Sequence, residues 1–119
     1  MKIDNQEVVS LIENFYSGLS DNNYEKLVDS GIILPDFIEG MEEELKSYGK
    51  SVTVPPTSRL ITARNIFFRQ PSSELIMREY EIDQFVWLNN EESDLTANFD
   101  CWEMKNGDVI VKLHDFLTR

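Results

Sequence analysis

His114 and Asp115 are the first residues to question for chemistry, because an imidazole beside a carboxylate is common acid–base apparatus. Their spacing argues against a dyad. Val109, Val111, Leu113 and Leu117 alternate with Ile110, Lys112, His114 and Phe116, which is a strand pattern. Adjacent residues of a strand point to opposite faces, so the two side chains do not meet. Asp115 is then expected on the apolar face with Leu113 and Leu117. A carboxylate lining a pocket there has a raised pKa and acts as a base. The commoner arrangement is a strand-end carboxylate satisfied by a tyrosine, an arginine or backbone donors. His114 is expected as an exposed cross-strand partner. Cys101 alternates with core residues and has no histidine near it in sequence, so it reads as a small buried hydrophobe. A single cysteine excludes an internal disulfide and a cysteine-based zinc cluster, and a single histidine excludes a multi-histidine metal site. The sequence has no glycine-rich phosphate loop and no nucleophile elbow. No catalytic residue, cofactor or metal is therefore assigned.

Charge is the more informative property. The chain has 22 acidic and 11 basic residues, a net charge of −11 and a pI near 4.4. Such a polyanion repels nucleic acid and anionic membranes, which are not expected as partners. The stretch from Lys50 to Ser73 has no Asp or Glu and carries Lys50, Arg59, Arg64 and Arg69, so the remainder holds −15. Acidic clusters occur at Glu39, Glu42, Glu43 and Glu44, and again at Glu91, Glu92 and Asp94. Carboxylates keep a surface soluble by default. In this density they also suit a cationic protein partner, whose association they accelerate. Trp102 alternates onto the polar face with Asp100 and Thr96. It is either an interface anchor or a residue packed under a neighbouring element. The candidate partner-binding residues are thus Glu91, Glu92 and Asp94, then Glu42, Glu43 and Glu44, with Trp102 as apolar anchor.

The elements that must position these residues divide the chain in two. At 119 residues and 13.9 kDa it is one domain, 1–119, with a helical part at 4–49 and a sheet part at 58–118. Val8, Leu11, Ile12, Phe15, Tyr16 and Leu19 form one helical stripe, opened by Asp4 and Glu7 with capping-box logic. Gly18 and the run Ser20–Asn23 are expected to end it. Tyr24, Leu27 and Val28 give a short second helix closed at Gly31. Pro35 suits the first position of a third helix, which carries Phe37, Ile38, Met41, Leu45 and Tyr48 and ends at Gly49. Strands are expected over Arg59–Arg69 and Leu75–Leu88. Two more follow, around Leu95–Trp102 and Val109–Leu117, with Asn89–Ser93 as a polar loop. A three-residue turn, Lys105-Asn106-Gly107, places Phe99 opposite Leu113, Cys101 opposite Val111, Leu95 opposite Leu117 and Asn98 opposite His114. The pattern is α+β: three N-terminal helices across a curved antiparallel sheet of about four strands. The N-terminus lacks a signal-peptide pattern, and no apolar run nears the ~20 residues of a membrane span, so a cytoplasmic location is expected.

That layout resembles the nuclear transport factor 2-like fold, the ketosteroid isomerase-like cone. The last third carries a closer resemblance. Tyr80-x-Ile82-x-x-Phe85-x-Trp87, Glu91-Glu92-Ser93-Asp94-Leu95-Thr96 and Val111-x-Leu113-x-Asp115-Phe116 are similar to motifs of small bacterial immunity-type proteins of this fold. Where those proteins close with Asp-Ile-His, this chain has His114-Asp115-Phe116. The resemblance implies a non-enzymatic protein that binds and neutralises a cognate toxin of a contact-dependent or polymorphic toxin system. The acidity of the chain adds that the expected toxin is a cationic nuclease. The alternative is a small-molecule-binding protein or enzyme using the cone pocket, with Asp115 as its polar group.

Overall fold

The computed structural model describes residues 5–49, 51–56 and 66–118. Three helices come first: α1 Gln6–Ser20, α2 Tyr24–Asp29 and α3 Phe37–Tyr48. Five strands follow: β1 Val52–Thr53, β2 Ile66–Arg69, β3 Ile76–Leu88, β4 Glu91–Met104 and β5 Val109–Thr118. All described pairings are antiparallel. The order is β1-β3-β4-β5, with β2 also against β3. The long β3 and β4 form a curled half-barrel, and the helices pack on its inner face.

The apolar stripe of α1 seats that core. Val8, Ile12, Phe15, Tyr16 and Leu19 are buried, and Phe15 meets Phe99 of β4 edge to face with ring centroids 5.1 Å apart. Tyr80, Ile82, Leu95, Ala97, Phe99, Cys101, Val111 and Leu113 line the inner face of the sheet. The interior of the half-barrel is thus filled with aromatic and aliphatic side chains.

Several boundaries differ from those read in the sequence. Asp4 lies outside the described residues, and Asn5 caps α1, its side chain accepting from the Glu7 N–H. Gly18 does not stop α1. It lets α2 approach, since a β-carbon there would stand 2.7 Å from Leu27 Cδ2. Pro35, expected as the first residue of α3, lies two residues before it, because Asp36 occupies the N-cap position. The sheet begins before residue 58: the two residues of β1 pair with Leu88 and Trp87. The expected strand from Arg59 is described only as Ile66–Arg69, and 59–65 lie outside the described residues.

The β3–β4 connection is also tighter than a loop over Asn89–Ser93. Asn89 and Asn90 have φ of 51° and 66°, as a two-residue type I′ turn requires, and Leu88 pairs directly with Glu91. The acidic residues after the turn belong to β4. In the β4–β5 hairpin the expected register holds at Phe99↔Leu113, Asp100↔Lys112 and Cys101↔Val111, with Gly107 left-handed at φ 97°. A bulge between Asn98 and Phe99 then shifts it. Asn98 pairs with Asp115, not His114, and Leu95 with Thr118, not Leu117. One extra residue on β5 reverses the alternation beyond it. Phe116, opposite Ala97, packs against the core, while Asp115 leaves the apolar face on which the simple alternation places it.

Candidate functional site

The strand pairing gathers carboxylates on the outer face of the sheet and supplies each with a partner. Arg69 of β2 reaches Glu79 at 3.3 Å, Asp100 at 3.2 Å and Glu81 at 3.5 Å. Glu79 also accepts from the Ser72 hydroxyl and backbone N–H, and from Trp102. The Ser72 bonds lead in holding its pKa below the usual carboxylate range, with Arg69 and Trp102 adding to them. His114 is exposed, as expected, and its Nδ1 lies 2.9 Å from Asp100 Oδ2. Asn98 donates to Asp83 at 2.6 Å. The result is a cross-strand charge ladder closed on itself.

A second cluster, invisible to sequence reading, lies at the end of the inner face. Glu103 is 3% exposed, yet it accepts from the Tyr80 hydroxyl at 2.6 Å and from Arg78 through both oxygens at 2.9 Å. Burial alone raises the Glu103 pKa, but the bonds from Tyr80, Arg78 and Asn5, with the Arg78 charge, bring it below its ordinary value. Burial and the same carboxylate push Tyr80 far up. Each group is thereby fixed in one protonation state near neutrality, which is poor apparatus for proton transfer. Cys101 is fully buried, and burial, Asp100 and Glu103 push its thiol up, so it stays a neutral core residue. Among the described residues no group of three or more His, Cys, Asp or Glu is placed to hold a metal ion.

The carboxylates of α3 and of the β3–β4 hairpin sit differently. The Tyr48 hydroxyl, at the end of α3, donates to Asp94 at 2.8 Å, which ties the two acidic segments together. Asn89 strengthens the junction by exchanging bonds with Ser51, at 2.8 Å and 3.0 Å. Met41 and Leu45 are the buried side of α3, so Glu42, Glu43 and Glu44 fan across the rest. Glu42 lines a cleft of about 560 Å³ with Tyr24, Lys46 and Ser51. Glu43 points to solvent. Glu44 lines a separate cleft with Asp115 and Phe116 of β5. Glu42, Glu43, Glu44 and Glu91 make no ion pair among the described residues.

Trp102 does not join this surface. It is half-buried between Glu79 and Ile110 on the outer sheet face, eight residues along β4 from Asp94, or roughly 25 Å at the rise of a strand. Two signals in the sequence point to the tie that was missed: Asn89-Asn90 as a tight turn, and a tyrosine in the last turn of α3.

These features define a class: an α+β module with a packed interior, whose polar groups divide into an internally paired sheet and an acidic helix–hairpin flank. The chain belongs to the family described as Domain of unknown function (DUF7668), which it matches over residues 16–117. No curated protein and no solved structure matches the chain. No helix among the described residues is long and apolar enough to cross a membrane.

Proposed function

We propose that this protein is a non-enzymatic, immunity-type inhibitor with a nuclear transport factor 2-like cone. It acts in the cytoplasm by covering the cationic surface of a cognate toxin domain, a nuclease. One observation carries the reading: Glu43, Glu44 and Glu91 of the α3–hairpin flank make no ion pair among the described residues, while Arg69 and Arg78 pair with Glu79, Glu81, Asp100 and Glu103 of the sheet. A fold that pairs one set of carboxylates with arginines and leaves Glu43, Glu44 and Glu91 outside such pairs keeps their flank at high potential. That potential steers a positively charged partner and resists wrong ones. The nucleic-acid-binding surface of a nuclease is such a partner, because it must itself neutralise phosphates.

The interface centres on Glu91, Glu92, Asp94 and Glu43, with Glu42 and Glu44 on its sides. A standard interface needs about 800 Å² per partner, more than the carboxylates cover, so apolar neighbours contribute. The filled interior supports binding over catalysis, since the alternative pocket reading needs a cavity behind Phe15, Phe99 and Leu113. The test is binding to the toxin domain encoded beside this gene. Tight association that weakens steeply with salt supports the reading. A metabolic enzyme as the neighbour, with no binding to it, contradicts it.

A further inference from the structure

The cleft that Glu44 and Asp115 share has a composition unlike that of the larger one. Its volume is about 340 Å³, at the small end of ligand pockets, and suits one long side chain better than a cofactor. Phe37, Met41 and Phe116 form an apolar floor. Asp36, Glu44 and Asp115 stand around it, and no basic residue among the described residues lines it. The larger cleft, by contrast, contains Lys46 beside Glu42.

Two details show that the fold itself does not need this cleft. Asp36 sits at the N-cap of α3, yet its side chain makes no capping bond, the usual reason for an aspartate there. Gly40 is the fourth of the twelve residues of α3, inside the helix, where glycine is unfavourable. Its backbone is not left-handed, and a β-carbon placed on it meets nothing within 4 Å. Neither backbone conformation nor packing calls for glycine. What its missing side chain provides is open space between α3 and β5.

We infer that the cleft between α3 and β5 is a socket for an arginine side chain of the protein partner. The inference rests on the inhibitor reading above and names one contact within it. An arginine stem is apolar and fits the Phe37–Met41–Phe116 floor, and its planar guanidinium stacks on aromatic rings. Its five N–H groups serve several carboxylates at once, which a lysine ammonium does less well. The bulge at His114 is what brings Asp115 to the rim and Phe116 to the floor, so the register shift builds the socket.

The experiment titrates N-acetyl-arginine amide into the full-length protein, followed by backbone amide NMR. N-acetyl-citrulline amide, the same shape without charge, is the control. We expect saturable shifts centred on Phe37, Gly40, Met41 and Phe116, with a Kd of order 1 mM. Citrulline should bind at least tenfold more weakly. Gly40→Leu fills the space with a strong helix former, so the variant should fold at least as well and lose the arginine response. Shifts that never saturate, or that follow Glu91 and Glu43 equally, overturn the inference, as does an unchanged response in Gly40→Leu. A second arm separates this socket from the broader reading. If the toxin domain binds wild type and Gly40→Leu equally well, the socket is wrong and the inhibitor reading stands. If it binds wild type at least tenfold more tightly, the socket is supported. If it binds neither, the inhibitor reading falls, and the arginine titration alone decides the socket.

Discussion

The outer sheet face and the α3–hairpin flank are both rich in carboxylates, but they keep different company. On the sheet, a single guanidinium from β2 reaches Glu79, Glu81 and Asp100, and Asp100 also holds His114. On the flank, Asp94 is held by a neutral tyrosine hydroxyl, and Glu43 and Glu91 face water. The first set contributes to folding and has little field left to offer. The second contributes little to folding and projects the charge that the composition reports. Net charge alone does not separate these roles; strand register does, because it decides which carboxylates meet an arginine.

The comparison breaks most easily at Glu103, the best-buried carboxylate. Glu103→Gln removes the charge from the bonds that Tyr80 and Arg78 make to this side chain and should cost about 1.5–3 kcal/mol in urea unfolding. A loss below about 0.5 kcal/mol places Glu103 with the surface residues. Acid should show the same division. The folded-state pKa values of Glu79 and Glu103 are depressed, so their stabilisation is present above the unfolded value near pH 4.3 and is lost as pH falls through the folded values. The midpoint temperature should therefore drop below about pH 4.5, and less steeply in Glu103→Gln. Arg69→Met strands three partly screened carboxylates and should cost roughly 1 kcal/mol, because the arginine is about one-third exposed. Glu43→Gln and Glu91→Gln should stay within about 0.5 kcal/mol of wild type. A larger loss in either gives the flank a structural role and weakens the contrast.

How much of this was legible depends on the range of the determining contact. The helical stripes and the Phe99↔Leu113 register follow from periodicity and from Gly107, both local signals, and the structure has them. Gly18 shows where local reading stops. A glycine near a polar run resembles a helix end, but its cause is Leu27 of the next helix. The bulge at His114 carries no sequence mark. It exchanges the faces of Asp115 and Phe116, so alternation alone puts the carboxylate in the core. The clusters of Tyr80, Arg78 and Glu103, and of Tyr48 and Asp94, join residues 23 or more apart. Composition marked the acidic segments as candidates. That the two meet at one flank, while Trp102 lies far along β4, required the register.

The most direct test of the central claim is the association rate of the cognate toxin domain, measured by stopped flow across a range of salt. Wild type is compared with the double variant Glu43→Lys and Glu91→Lys. The account predicts association slowed at least ~10-fold at low salt, a gap that narrows as salt screens the field, and a midpoint temperature within about 2 °C of wild type. Equal rates for the two proteins at low salt, with the variant still folded, would contradict it.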